Sequence, residues 1–391
     1  MAESEARRGY EGVVLAVPVT VPYVRYSIHG AQRFAAQALA GLLSQAGLDK
    51  HAVDGLCVAS FTLAPDAPIG LAQHLGLSPR WLDTVPLGGA CGTTMLRRAA
   101  RAVQCGDAEI VACVAADTNH VDSFRQTLSS FSQFARDAVY PYGAGGPNAS
   151  FALLTAHYMR VFGAQAADFG KLCVAQRANA LATPFAVFKK PLTLDEYLGA
   201  RPVADPLRLF DCVMPMAGAE ALLVTTEARA RRLSLPFARL LGTIERHNAF
   251  PDDPVQVRGG WAQDRDALWA QAGAGPSDMD FLQAYDDYPV ITLMQIEDLG
   301  FCAKGEGPAF VRANGFTLDG SLPLNTSGGQ LSAGQAGAAG GMLGLTEAVR
   351  QLTGQACGNP LRRARLGVVS GFGMINYDRG LATGAAVLGR A

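Results

Sequence analysis

The chain has 391 residues, 49% hydrophobic and only 17% charged, with 44 glycines. That composition excludes a disordered chain and suits one large α/β unit or two domains of ordinary size. Thirty-three basic residues against 34 acidic ones leave a formal charge of −1, so no field gathers nucleic acid or an anionic membrane non-specifically. No apolar run approaches the roughly 18 residues that a membrane span needs. The opening MAESEARRGYEGVVL has no basic start followed by an apolar core, so a cytoplasmic location is expected. Of the eight cysteines, none forms a C-x-x-C pair; most read as reduced core residues, and no zinc or other metal site is expected.

In chain order, GVVLAVPV from Gly12 reads as a strand, and Ala31 to Ala46 carries Phe34, Leu39, Leu42 and Leu43 on one helical stripe. VDGLCVASF predicts the next strand and GLAQHLGL a short helix. TVPLGGACGTTMLRRAARAVQCGDAEIVACVAAD predicts strand, glycine-rich turn, helix, a glycine stop at Gly106 and a buried strand. This βαβ grammar implies a largely parallel sheet covered by helices. Residues of about 120–215 break the rhythm and predict an inserted lid, binding wall or subunit contact. The grammar resumes after Gly242, dividing the chain into halves of 1–241 and 242–391. DMDFLQAYDDYPVITLMQIEDLGF predicts strand, loop and helix; LNTSGGQLSAGQAGAAGGMLGLTEAVRQLTG then leads into RLGVVSGFG. The last pair repeats the PLGGACGTTML to EIVACVAAD unit, so two helix N-termini, each with free N–H groups, should meet at the centre.

These motifs, with YGAGGPNASFAL and the closing VSGFGMINYDRGLATGAAVL, resemble the thiolase superfamily, in the branch of the sterol-carrier-protein-type thiolases. The resemblance implies an α/β fold of two similar halves in a five-layer αβαβα arrangement with a loop-domain insertion. It also implies a coenzyme A thioester as substrate, no permanently bound cofactor, and a homodimer. Working thiolases load the acyl group onto a cysteine at the first buried helix, but that position falls on Gly89 here, with Cys91 two residues on. The G-H-P histidine falls on Gln335, the carbonyl-polarising position on Tyr285, and the late acid/base on Ser370.

Candidate catalytic residues are therefore Tyr285, Gln335, Ser370, Asp287 and a displaced nucleophile, Cys91. A tyrosine beside a carboxylate can exchange a proton with a substrate hydroxyl or an enolate. Strand alternation would put Tyr285 and Asp287 on one side, Asp286 and Tyr288 on the other. An aspartate of this cluster would alternatively cap the VITLMQIEDLG helix. Neutral donors in the second glycine-rich turn, among them Asn325 and Ser332, suit a thioester oxygen. Gly89, His120 and Lys190 complete the expected substrate contacts, with Lys189, Arg201 and Arg208 near CoA phosphates and Phe185, Phe188, Tyr197 and Phe210 around the acyl chain. Three activities follow: carbon–carbon cleavage of an acyl-CoA without an acyl-cysteine, acyl transfer through Cys91, or a non-catalytic acyl-CoA-binding or scaffold subunit. For the first, the resemblance to side-chain-cleaving aldolases implies a separate small zinc-ribbon/OB-fold partner.

Overall fold

The computed structural model describes residues 9–63, 67–120, 133–143 and 146–391. Parts of the expected insertion and of the YGAGGPNASFAL motif, residues 121–132 and 144–145, lie outside the described residues.

The strands are β1 (Val13–Val24), β2 (Gly55–Ala59), β3 (Trp81–Thr84), β4 (Ile110–Asp117), a β5–β6 ribbon (Pro202–Ala204 and Leu207–Arg208), β7 (Ala217–Thr226), β8 (Phe237–His247), β9 (Phe281–Ala284), β10 (Leu366–Asn376) and β11 (Arg379–Arg390). The helices used below are α1 (Ala31–Ala46), α2 (Cys91–Cys105), α3 (Pro147–Phe162), α4 (Ala166–Ala180), α5 (Trp261–Ala272), α6 (Pro289–Asp298), α7 (Gly329–Ala333) and α8 (Gly340–Thr353).

The main sheet runs β3-β2-β4-β7-β1-β8-β11-β10-β9. Its centre is a pseudo-two-fold: β1 and β8 pair antiparallel only through Val14–Ala16 and Phe237–Arg239, and each half then continues outward in corresponding order. The expectation of a largely parallel sheet is corrected. Parallel pairing is confined to the outer strands, β2 with β3 and β4, and β9 with β10, while the inner pairs are antiparallel. Strands buried on both faces read as continuous apolar runs in either orientation, so composition could not separate the two cases.

The sheet folds around α2 and α8, which share one apolar cluster with the inward faces of both halves. Helix α1 covers the outer face of the first half, and α5 and α6 cover that of the second, which completes five layers. Helices α3 and α4, from the insertion, join the outer cluster of the second half. Both central helices stop at a left-handed glycine, Gly106 with φ 78° and Gly354 with φ 73°. Their N-termini meet backbone to backbone, as the repeat predicts. A Cβ on Gly92 would lie 2.3 Å from the Gly341 oxygen, so only glycine permits this approach.

Candidate active site

A cavity of about 550 Å³ opens where the carboxyl ends of β4, β9 and β10 meet the first turns of α2 and α3. Its wall is largely aromatic and apolar, including Phe61, Tyr140, Phe151, Tyr288, Phe372 and Met374. Tyr285, Asp287, Gln335, Asp117 and Asn148 supply polar groups. That combination orients one apolar substrate through a few polar contacts.

Gly88 and Gly89 form a single turn of 3-10 helix that leads into α2. A Cβ on Gly89 would stand 2.1 Å from Cζ of Tyr285 and 2.3 Å from the Phe372 oxygen. The Tyr285 ring thus fills the place where any side chain at position 89 would project. The tyrosine is held from behind: its N–H meets the Ser370 oxygen and Gln295 Oε1, both at 3.1 Å, and its carbonyl accepts from Gln295 Nε2 at 2.7 Å. Gln335 Nε2 donates to the phenol oxygen at 3.0 Å.

Burial pushes the Tyr285 phenol well above its ordinary range, and the neighbouring Asp287 adds to the shift. Burial likewise raises the Asp287 carboxyl well above the usual carboxylate range, with Asp286 beside it as a second cause. Oδ1 of Asp287 has no hydrogen-bond partner. An elevated carboxylate is a stronger base than an ordinary one, and an elevated phenol stays protonated. The pair therefore places two buried titratable groups side by side at the cavity wall.

Tyr285 and Asp287 face the cavity and Asp286 does not, as alternation predicts, but Tyr288 faces it too; β9 ends at Ala284, and the chain beyond it is no longer a strand. Tyr288 stacks on Phe151 with centroids 4.0 Å apart and donates to Asn148 Oδ1. Asp286 turns away. It caps neither the expected helix, where Tyr288 is the N-cap without a side-chain bond, nor the cavity. It accepts from the N–H groups of Gln330 and Leu331 at 2.9 and 3.3 Å, and burial pushes it up to about 7.

Other expected residues serve elsewhere. Cys91 is fully buried outside the cavity wall, donates to the Ala338 oxygen at 3.1 Å, and has its thiol pushed up by burial. That is the opposite of an activated nucleophile. Ser370 Oγ donates to Gln295 Oε1 at 2.6 Å. Asn325, left-handed at φ 47°, accepts the Ala284 N–H at 2.8 Å. Ser332 accepts from Arg177 Nε at 3.0 Å. None of these three lines the main cavity; nor do exposed His120 and Lys190. Tyr197 donates to Asp211, while Phe185, Phe188 and Phe210 pack against arginine guanidinium groups, so the expected acyl-chain aromatics line no part of this cavity. Of the five cysteines that lie in apolar runs and were expected in the core, Cys57, Cys113 and Cys173 are buried, whereas Cys105 is exposed and Cys212 lines the cavity.

Sequence reasoning assigned no role to Asp117, although a lone carboxylate closing the run IVACVAAD was a visible signal. Asp117 accepts from Ser60 Oγ, Thr62 Oγ1 and the N–H groups of Phe61, Thr62 and Ala338, so it ties the first half to the turn that carries Gln335. Among the described residues no group of three or more His, Cys, Asp or Glu could hold a metal, and no helix is long and apolar enough to cross a membrane.

Fold and site together define an enzyme with a thiolase-type architecture in which a tyrosine ring packs over Gly89. The thiolase C-terminal domain-like family matches residues 246–388. The 17-hydroxy-3-oxo-4-pregnene-20-carboxyl-CoA lyase of Mycobacterium tuberculosis is 33% identical over 84% of this chain and 88% of its own length. The steroid side-chain-cleaving aldolase of Thermomonospora curvata is 33% identical over 88% of this chain and 90% of its own. A solved Ltp2-ChsH2(DUF35) aldolase superposes with a TM-score of 0.84 at 28% identity, covering 99% of each chain. The chain belongs to the thiolase superfamily, in its sterol-carrier-protein-type branch.

Proposed function

We propose that this protein cleaves the bond between the α and β carbons of a 3-hydroxyacyl-CoA by a retro-aldol reaction, without an acyl-enzyme. The observation that carries this reading is the Tyr285 ring over Gly89, flanked by Asp287, whose Oδ1 has no hydrogen-bond partner. Asp287 accepts the β-hydroxyl proton as the carbon–carbon bond breaks, leaving a ketone or aldehyde and the enolate of the shortened thioester. Tyr285, supported by Gln335, donates its hydrogen bond to the enolate oxygen. The proton held by the pair returns to the α carbon, so no water or external nucleophile is consumed. The lyase and aldolase among the relatives support this chemistry, and acyl transfer through Cys91 has no geometric support.

The reading extends to assembly: a homodimer of chains, each built of halves 1–241 and 242–391, working with a separate small zinc-ribbon/OB-fold protein. The two-component name of the solved aldolase supports the separate partner. The test incubates the chain, alone and with such a partner, with 3-hydroxy-3-phenylpropanoyl-CoA. Benzaldehyde and acetyl-CoA should form while intact-protein mass spectrometry finds no acyl adduct. An adduct on the native chain that disappears in Cys91→Ala would overturn the mechanism.

A further inference from the structure

Gln295 is a fully buried amide in the middle of α6, on a helix whose residues from Pro289 to Asp298 are all buried. A polar side chain there costs stability unless every bond is made. Gln295 makes them, two of them to one residue. Its Oε1 accepts from the main-chain N–H of Tyr285 at 3.1 Å, and its Nε2 donates to the main-chain carbonyl of Tyr285 at 2.7 Å and to Ile291 at 2.8 Å. An amide that grips both main-chain groups of one residue fixes that residue's height and rotation together. Tyr285 needs such a grip because β9 ends at Ala284.

The orientation of the amide is itself fixed. The Tyr285 N–H can only donate and its carbonyl can only accept, which puts the amide oxygen on one and the nitrogen on the other, and Ser370 Oγ adds a bond to that oxygen at 2.6 Å. Ser370 also accepts the Tyr285 N–H through its own carbonyl. The position expected to supply a late acid or base thus acts one residue removed from the cavity.

We propose that Gln295, braced by the Ser370 hydroxyl, is the positioning residue of the cleavage reaction, holding the Tyr285 phenol over Gly89 within reach of Gln335 and the substrate oxygen. This rests on the retro-aldol reading above. The substitution Gln295→Met keeps the volume and removes the grip. With 3-hydroxy-3-phenylpropanoyl-CoA or a tertiary 3-hydroxyacyl-CoA as probe, kcat should fall by on the order of 30-fold while KM changes less than about two-fold. In a Tyr285→Phe background the same substitution should cost nothing further in kcat, because residues acting through one group are non-additive. Gln295→Glu should regain activity as the pH is lowered, when the protonated acid again donates to the Tyr285 carbonyl.

Unchanged kcat in Gln295→Met, or a full additional loss in the Tyr285→Phe background, overturns the inference while leaving the reading of the site intact. If Gln295→Met does not fold, Ser370→Ala decides: a several-fold fall in kcat at constant KM is expected, and a native rate overturns it. A native rate in Tyr285→Phe, or no cleavage of either probe by the native chain with its partner, overturns the retro-aldol reading itself.

Discussion

The Gly89→Ala substitution isolates the geometry on which the mechanism depends. The added methyl would meet Tyr285 Cζ at 2.1 Å, Cε2 at 2.2 Å and the Phe372 carbonyl oxygen at 2.3 Å. The carbonyl belongs to β10, and Phe372 pairs with Thr383 of β11, so this wall cannot retreat without disturbing the sheet. Relief must come from the tyrosine, whose ring would have to move by more than about 1 Å to restore ordinary contact. A displacement of that size at a reacting group costs on the order of 10²-fold in rate, or about 2.7 kcal/mol of barrier. Overpacking adds a stability loss of about 1–3 kcal/mol. Steady-state cleavage of a 3-hydroxyacyl-CoA, paired with urea denaturation, reads both quantities. A variant with native kcat would refute the claim that the ring must sit over Gly89, and with it the account of why no cysteine stands there.

Tyr285→Phe should lower kcat by about 10²- to 10⁴-fold, as expected for loss of a proton donor, and Gln335→Ala by roughly ten-fold through the unpaired phenol; product formation measures both. Cys91→Ala should leave the cleavage rate within about two-fold of native and the intact mass free of acyl adducts, since the thiol lies outside the cavity wall. Glu220 is fully buried, accepts from Thr20, Tyr23 and Thr346, and is pushed up to about 7 by burial against the opposing pull of Arg350. Because the folded form holds this proton more tightly than the unfolded chain, its contribution is complete below about pH 4.5 and is lost as pH rises through about 7, by about 3 kcal/mol. Urea denaturation at pH 5 and pH 8 should show that slope, and Glu220→Gln should flatten it; an unchanged slope would exclude Glu220 as its source.

What was legible in the sequence follows from how locally each feature is determined. Helix α1 was expected over Ala31–Ala46 and spans those residues, because its apolar stripe and the glycine after it are local signals. The meeting of α2 and α8 was legible for a related reason, since a repeated glycine-rich turn before a helix marks equivalent places in two halves. Strand direction at the sheet centre was not legible, because burial on both faces erases alternation. Asn325 and Ser332 misled because a polar side chain in a glycine-rich turn carries no mark of where its bonds go. In the fold, both satisfy the loop around the site: one holds the end of β9, the other holds Arg177. Gln295 escaped notice because an isolated glutamine inside MQIEDLGF looks like surface, and only the packing of α6 shows it fully buried.

The altered positions form one coupled arrangement rather than separate losses. Tyr285 can lie where it does only because residue 89 has no side chain, and its phenol is partnered because residue 335 offers an amide donor. A neutral amide donates without itself taking up a proton near neutral pH, so in the proposed mechanism the proton traffic falls to Tyr285 and Asp287. Ser370, in turn, donates to the amide that grips the tyrosine's main chain. Restoring a cysteine at position 89 alone would meet the same 2.1 Å obstruction as alanine, and would still lack a base at position 335. The chemistry proposed for this cavity is therefore proton exchange at a substrate's own oxygen. That suffices for aldol cleavage, where the substrate supplies both its leaving carbanion and its carbonyl, and falls short of acyl transfer, where the enzyme must supply the nucleophile.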